Sequence, residues 1–208
     1  MNKKFKTDQE EFWTGRFGEE YILRNQSDQL LASNLHFFAK IFDQLPAPRS
    51  IIEFGANIGM NLKAMKLLFP GIQLYGIEIN EKAAKILGET IGDDHVFNES
   101  ILDVKIEQPC EVALIKGVLI HINPGYLPVV YEKLFKAATK FIIIAEYFNP
   151  TPVSISYRGH EDKLFKRDFA GEMMEKYPEL ELIKYGFSYR RDPAFPQDDI
   201  SWFVLKKT

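Results

Sequence analysis

The chain carries one cysteine, Cys110, among 208 residues. That excludes an internal disulfide framework and fits a reducing compartment. Long hydrophobic runs are missing too. Phe141 to Ala145 is among the longest, about the length of a strand, so nothing here spans a bilayer and no membrane partner is expected. Neither sign of charge is in large surplus. With 26 Lys and Arg against 29 Asp and Glu, the formal charge is -3, which leaves no strong field to draw nucleic acid or an anionic membrane surface. The four histidines are scattered, so no cluster has metal-ligand spacing and no metal is expected. No Ser-His-Asp or Cys-His constellation can be assigned. Behind Met1 lie basic residues without an apolar core, so no secretory leader is visible and a cytoplasmic location is expected. There is no internal repeat and no low-complexity segment.

What is there, 46% hydrophobic residues, suffices for one domain with a sizeable core. From Ser50 onward, short apolar runs alternate with helix-length amphipathic stretches, the pattern of a doubly wound α/β fold with a mostly parallel sheet. "SIIEF", "IQLYGIE", "HVFN", "EVALIK" and "KFIIIAE" read as five strands. "IGMNLKAMKLLF", "NEKAAKILGETI" and "PGYLPVVYEKLFKAA" read as the helices between them, with Pro124 in a first turn. Cys110 is expected to pack at the start of the fourth strand. "DFAGEMMEKY" is a helix capped by Asp168, and "LELIKYGFSYR" with "ISWFVLKK" is an antiparallel pair closing the sheet. Ahead of the first strand, "SDQLLASNLHFFAKIFDQL" is an amphipathic helix capped by Ser27, with Leu31, Leu35, Phe38 and Phe42 on one side. A single domain over residues 1–208 is expected. Residues 1–48 form a helical cover, 49–145 a ligand-binding core, and 146–208 a substrate loop, a helix and antiparallel strands.

Ligands of such sheets sit at the carboxyl ends of the strands. There "EFGANIG" places Gly55 and Gly59 four apart, with Ala56 and Asn57 between and Glu53 just before. A phosphate-cradling loop needs Gly-Lys-Ser/Thr after its glycines, and here Met60-Asn61 follows. A dinucleotide fingerprint needs G-x-G-x-x-G, and Glu53 would meet a pyrophosphate with like charge. A ligand with a cationic head fits better. S-adenosylmethionine carries an ammonium and a sulfonium that a carboxylate complements, and glycines let the backbone approach it closely. Glu78 closes the second strand, where an acid accepts hydrogen bonds from ribose hydroxyls. Asp103, in "NESILD", is placed for an adenine amino group.

From Ser50 to Ala145 the sequence resembles the class I S-adenosylmethionine-dependent methyltransferases, through "EFGANIG", "YGIEIN", "SILD" and "LIKGVLIHINP". Across nearly the whole chain, "EFWTGRFGEEYILRNQ", "KGVLIHINP" and "YRGHEDKLFKRDFAGE" resemble the pseudaminic-acid-biosynthesis-associated methylases, a group linked to surface-polysaccharide and flagellar-glycan pathways. The resemblance implies a methyltransferase with S-adenosylmethionine as cofactor and S-adenosylhomocysteine as product. Glu53, Gly55, Ala56, Asn57 and Gly59 would then line the methionine end, Glu78 and Ile79 the ribose, and Asp103 the adenine. Lys116 and Gly117 would lie beside the cofactor.

For the acceptor, His121 is either a base beside the reacting methyl or a buried histidine satisfying the Asn123-Pro124 turn. The run "YRGHEDKLFKRD" holds Tyr157, Arg158, His160, Lys163, Lys166 and Arg167. These suit a phosphate- or carboxylate-bearing small molecule, or form a solvated loop neutralised by its own acids. Phe12, Trp13, Phe17 and Tyr21, with Arg16 and Arg24, either pack on the sheet or form a lid in which Trp13 and Tyr21 meet substrate. "RRDPAFPQDD" reads as a surface hairpin loop. The expected reaction is methylation of a small polar acceptor such as an activated sugar, with oxygen as the target atom. A nitrogen acceptor and a non-catalytic cofactor-binding subunit are the rivals. The oligomeric state is not legible.

Overall fold

The computed structural model describes residues 5–157 and 160–208, side chains at positions 23, 157 and 160–163 excepted. Strands β1 (Ser50–Phe54), β2 (Gln73–Ile77), β3 (Val96–Phe97), β4 (Cys110–Lys116) and β5 (Ala138–Glu146) pair in parallel. Helices α4 (Met60–Leu68), α5 (Glu81–Ile91) and α6 (Leu127–Ala137) lie between them in the chain. Further along come α7 (Phe169–Lys176), β8 (Leu180–Ser188) and β9 (Ile200–Lys207), and β9 runs antiparallel to both β5 and β8. The sheet order is β3-β2-β1-β4-β5-β9-β8. Connections leave β1 toward β2 on one side, while β4 lies on its other side. A crevice therefore opens between the carboxyl ends of β1 and β4, where open α/β sheets bind ligands.

Both faces of the sheet are buried, and the two-residue period of the strands sorts their side chains. Ile52, Phe54, Ala113, Ile115, Ile142 and Ile144 pack toward α6 and α7. Ile51, Leu114, Ile143 and Trp202 pack on the other side against α3 (Asp28–Phe42) and α4. Ser27 caps α3 as expected, its hydroxyl accepting from Leu30 N–H at 3.1 Å. The buried stripe of α3 is Phe37, Phe38, Ile41 and Phe42, while the expected Leu31 and Leu35 are only half-buried at its edge. Cys110 is buried at the start of β4.

The N-terminal segment forms two helices, α1 (Asp8–Thr14) and α2 (Arg16–Arg24), parted at Gly15. A capping box starts α1: Thr7 Oγ1 accepts from Glu10 N–H at 3.2 Å, and Thr7 N–H donates back to Glu10 Oε2 at 2.9 Å. The segment 147–166, expected as a loop, contains a hairpin instead. Strands β6 (Val153–Tyr157) and β7 (His160–Lys166) pair with each other in a sheet of their own. Its polar composition hides a short alternation, with Leu164 buried among Leu119, Ile120 and Tyr131.

Candidate active site

The β1–α4 turn is set by three left-handed residues, Gly55 at φ 76°, Asn57 at φ 49° and Gly59 at φ 82°. Glycine and asparagine tolerate this region where other residues strain. The turn is pinned to β2, since the N–H groups of Gly55 and Ala56 both donate to Ile77 O at 2.9 Å. A Cβ on Gly55 would come within 2.6 Å of Val118 Cγ2, in the turn after β4. The two strand ends thus meet closely, and beside them opens a cavity between the sheet and the N-terminal helices.

Gly55, Ala56, Asn57, Glu78, Ile79 and Asn80 form one wall, with Ser100, Ile101 and Leu102 beyond them. Lys116, Gly117 and His121 form another. Trp13 and Tyr21 reach in from the N-terminal helices, and Leu30 and Asn34 from α3. The N-terminal helices are fastened over the cavity at several points. Asn80 Nδ2 donates to Trp13 O at 3.1 Å, Lys82 pairs with Glu19 at 2.7 Å, and Ser100 Oγ donates to Glu10 Oε1. The Trp13 ring lies 4.8 Å from His121 and 5.3 Å from Tyr21. Trp13 and Tyr21 thus both line the cavity and pack on each other, so the two expected arrangements, packing and cover, coexist in their placement.

The buried acids divide by role. Glu78 accepts from Asn57 N–H at 2.7 Å and from Asn80 N–H at 2.8 Å. Burial raises its pKa, and these backbone donors only partly offset the rise. Glu53 is not part of the cavity wall. It sits behind the turn, where Asn61 Nδ2 donates to its Oε1 at 2.6 Å and its Oε2 has no partner. Burial pushes the Glu53 carboxyl up to about 8. Glu146, which sequence reasoning did not single out, ends β5. Its Oε1 accepts from the N–H groups of Val118 at 2.9 Å and Leu119 at 2.8 Å. It thereby fixes the turn that carries His121. Burial lifts it to about 7, and its Oε2 is likewise unpartnered.

Other expected site residues fall elsewhere. Gly59 is behind the wall as the N-cap of α4, where a Cβ would meet Leu87 at 2.6 Å. Asp103 is turned to the surface and paired with Lys6, so the backbone of Ser100–Leu102 stands where an adenine contact was expected. Lys166 is not part of the cavity wall, and its ammonium lies 5.2 Å from the Tyr147 ring. Arg167 pairs with Glu172 at 2.7 Å. Arg158 lies outside the described residues, as do the side chains of Tyr157, His160 and Lys163. The basic run is therefore not brought to the cavity by any residue described. Among the described residues no three His, Cys, Asp or Glu side chains form a metal-binding group, and no helix is long and apolar enough to cross a membrane.

No family model and no curated relative matches the chain. Solved structures do. A Burkholderia thailandensis 1,6-didemethyltoxoflavin-N1-methyltransferase with S-adenosylhomocysteine bound superposes with TM-score 0.71 at 11% identity, covering 96% of this chain and 87% of that one. The magnesium protoporphyrin IX methyltransferase of Synechocystis, also with S-adenosylhomocysteine, gives 0.69 at 11% identity, covering 97% of this chain and all (100%) of the other. The mitomycin 7-O-methyltransferase gives 0.68 at 12% identity, covering 97% of this chain, which spans 61% of that enzyme. The chain has the class I methyltransferase fold. Its crevice between β1 and β4 is the site that this fold and the geometry both single out.

Proposed function

We propose that the protein is a methyltransferase that uses S-adenosylmethionine and acts on a small, polar, anionic acceptor. The observation that carries the reading is the lidded cavity at the ends of β1, β2 and β4, walled by the left-handed glycine turn and by Glu78. The residues fit the cofactor. Gly55 and Asn57 hold the turn in a left-handed path along the cavity wall, and the Glu78 carboxylate lines the cavity with backbone donors already holding it in place. In this reading Gly55, Ala56 and Asn57 hold the methionine portion, Glu78 and Ile79 the ribose, and the Ser100–Leu102 backbone the adenine. Glu53 acts from behind the turn by holding Asn61, which lines the cavity and whose Oδ1 is left as an acceptor for the positive end. When bound, the cofactor supplies a methyl group on a sulfonium, an electrophile that needs no metal.

The chain's own contribution is placement, exclusion of water and one proton. Trp13 and Tyr21 close the cavity against solvent, so an acceptor is held at short range in a poorly solvated space. His121 is buried in the wall between the Trp13 ring and the Glu146-bound turn. In this reading it takes the proton of a hydroxyl acceptor, with oxygen as the target atom. The sequence resemblance to pseudaminic-acid-associated methylases supports an activated sugar or related precursor of a surface polysaccharide or flagellar glycan. Incubation with labelled cofactor and a panel of nucleotide-activated sugars tests the reading. Label in a sugar product supports it, and turnover confined to amine acceptors would replace it with the N-methyl reading.

A further inference from the structure

Lys116 is the only Lys or Arg among the described residues that line the cavity. It ends β4, opposite Ala145 of β5. It shares the side-chain parity of Leu114 in the same strand, so it points to the face that α3 covers. Its ammonium lies 5.5 Å from the centre of the Phe37 ring. Among the described residues no carboxylate comes within ion-pair distance of it. Glu53, Asp198 and Glu146 act on it only across space, and none of them closes on the ammonium. Glu53 Oε1 accepts from Asn61 and Glu146 Oε1 from the Val118 and Leu119 N–H groups, and among the described residues the Oε2 of each has no hydrogen-bond partner.

A cation set in a cavity wall with no carboxylate in contact is costly, because burial strips its hydration and the Phe37 ring and the more distant acids only partly make up for it. The nearby amides add to the pattern. Asn34 is buried and lines the same cavity, and its Oδ1 already accepts from Gln197 Nε2 at 2.8 Å. That leaves the Asn34 amide nitrogen as a hydrogen-bond donor with no partner among the described residues. A lysine and an amide donor on one side of a cavity form a receptor for an anionic oxygen group.

We infer that Lys116, assisted by Asn34, is the anion-binding subsite of the cavity, taking a carboxylate or phosphate of a bound molecule. The inference rests on the methyltransferase reading and deepens it by naming an anion contact at the end of β4. Two sources can supply the anion: the carboxylate at the amino-acid end of the cofactor, or an acidic group on the acceptor.

Calorimetric titrations on the full chain separate them. The ligands are S-adenosylhomocysteine, methylthioadenosine (which lacks the amino-acid end) and inorganic phosphate added to the S-adenosylhomocysteine complex. Lys116→Met and Lys116→Arg are compared with the unaltered protein. If the cofactor's carboxylate is the anion, Lys116→Met binds S-adenosylhomocysteine roughly ten- to hundredfold more weakly, the range for a charge-assisted hydrogen bond. It then binds methylthioadenosine as before, and Lys116→Arg recovers much of the loss. If the acceptor supplies the anion, S-adenosylhomocysteine affinity is unchanged, while phosphate binds the unaltered complex and not the Lys116→Met complex. Equal binding of all three ligands by Lys116→Met and the unaltered protein overturns the inference. Parallel loss of S-adenosylhomocysteine and methylthioadenosine also overturns it, because that marks a structural role. Failure of the unaltered protein to bind S-adenosylhomocysteine is a different result, which sinks the cofactor reading itself.

Discussion

Glu53, Glu78 and Glu146 are carboxyl groups folded away from water in or at the ends of β1, β2 and β5. Burial raises Glu53 from an ordinary 4.5 to about 8 and Glu146 to about 7, and it raises Glu78 in the same direction. Between the ordinary value and those raised values the folded chain holds protons that the unfolded chain has released. Stability in this window must therefore fall as pH rises. Thermal melts of ligand-free protein should show a lower Tm at about pH 8 than at about pH 5, and Glu53→Gln should flatten that decline. Lys116, pulled below its ordinary 10.5 by burial, acts with the opposite sign nearer that value. A Tm that climbs steadily from pH 5 to 8 would show that the buried acids are ionised and better compensated than their surroundings suggest. Glu78→Ala should keep the fold and weaken S-adenosylhomocysteine by about 1.5–3 kcal/mol, the scale of hydrogen bonds to a charged group. A variant that unfolds yet binds normally per folded molecule would make Glu78 structural.

At the scale of elements, one carboxylate both caps α1 and ties it to the cavity rim. Glu10 closes the capping box of α1 and accepts from Ser100 across the cavity rim, with Lys6 N–H also donating to it at 2.6 Å. Glu10→Ala removes the cap and the tether together, a loss of roughly 1–3 kcal/mol from α1. Amide exchange across Asp8–Thr14 should then speed up at least tenfold, while exchange in β4 and β5 stays slow. Unchanged exchange in α1 would mean that Trp13 and its ring contacts hold the lid without help. The elements also show what the sequence could and could not reveal. β1 was legible to the residue, because a short apolar run ending in a glycine turn has few other readings. The β6–β7 hairpin was not, since its five-residue strand β6 has exposed side chains and its alternation is masked by polar neighbours. Asp103 lies on the expected loop, but whether it faces the ligand depends on how the 100–103 turn closes, which no strand period controls. The Asn34–Gln197 pair was invisible for another reason: the two are 163 residues apart, and nothing local marks Asn34 as a polar group at the cavity.

For the whole molecule, the reversal of strand order beside β1 decides where a ligand binds, and both hydrophobic layers serve to hold that crevice open. The N-terminal helices contribute little to either layer, so they can cover the site without being part of the core that creates it. A ligand that fits between lid and sheet must therefore stabilise the whole chain. S-adenosylhomocysteine at about a hundred times its Kd should add roughly 2.7 kcal/mol to the folded state and raise Tm accordingly. The most direct test of the account is a calorimetric titration of S-adenosylhomocysteine into the unaltered protein and into Gly55→Val. At position 55 the backbone has φ 76°, and a side chain would run into Val118, so a valine there has to shift the turn that walls the cavity. The account predicts saturable one-to-one binding to the unaltered protein, and no measurable binding to a Gly55→Val variant that keeps its circular dichroism spectrum. No binding to the unaltered protein, or equal affinity in both, would contradict it.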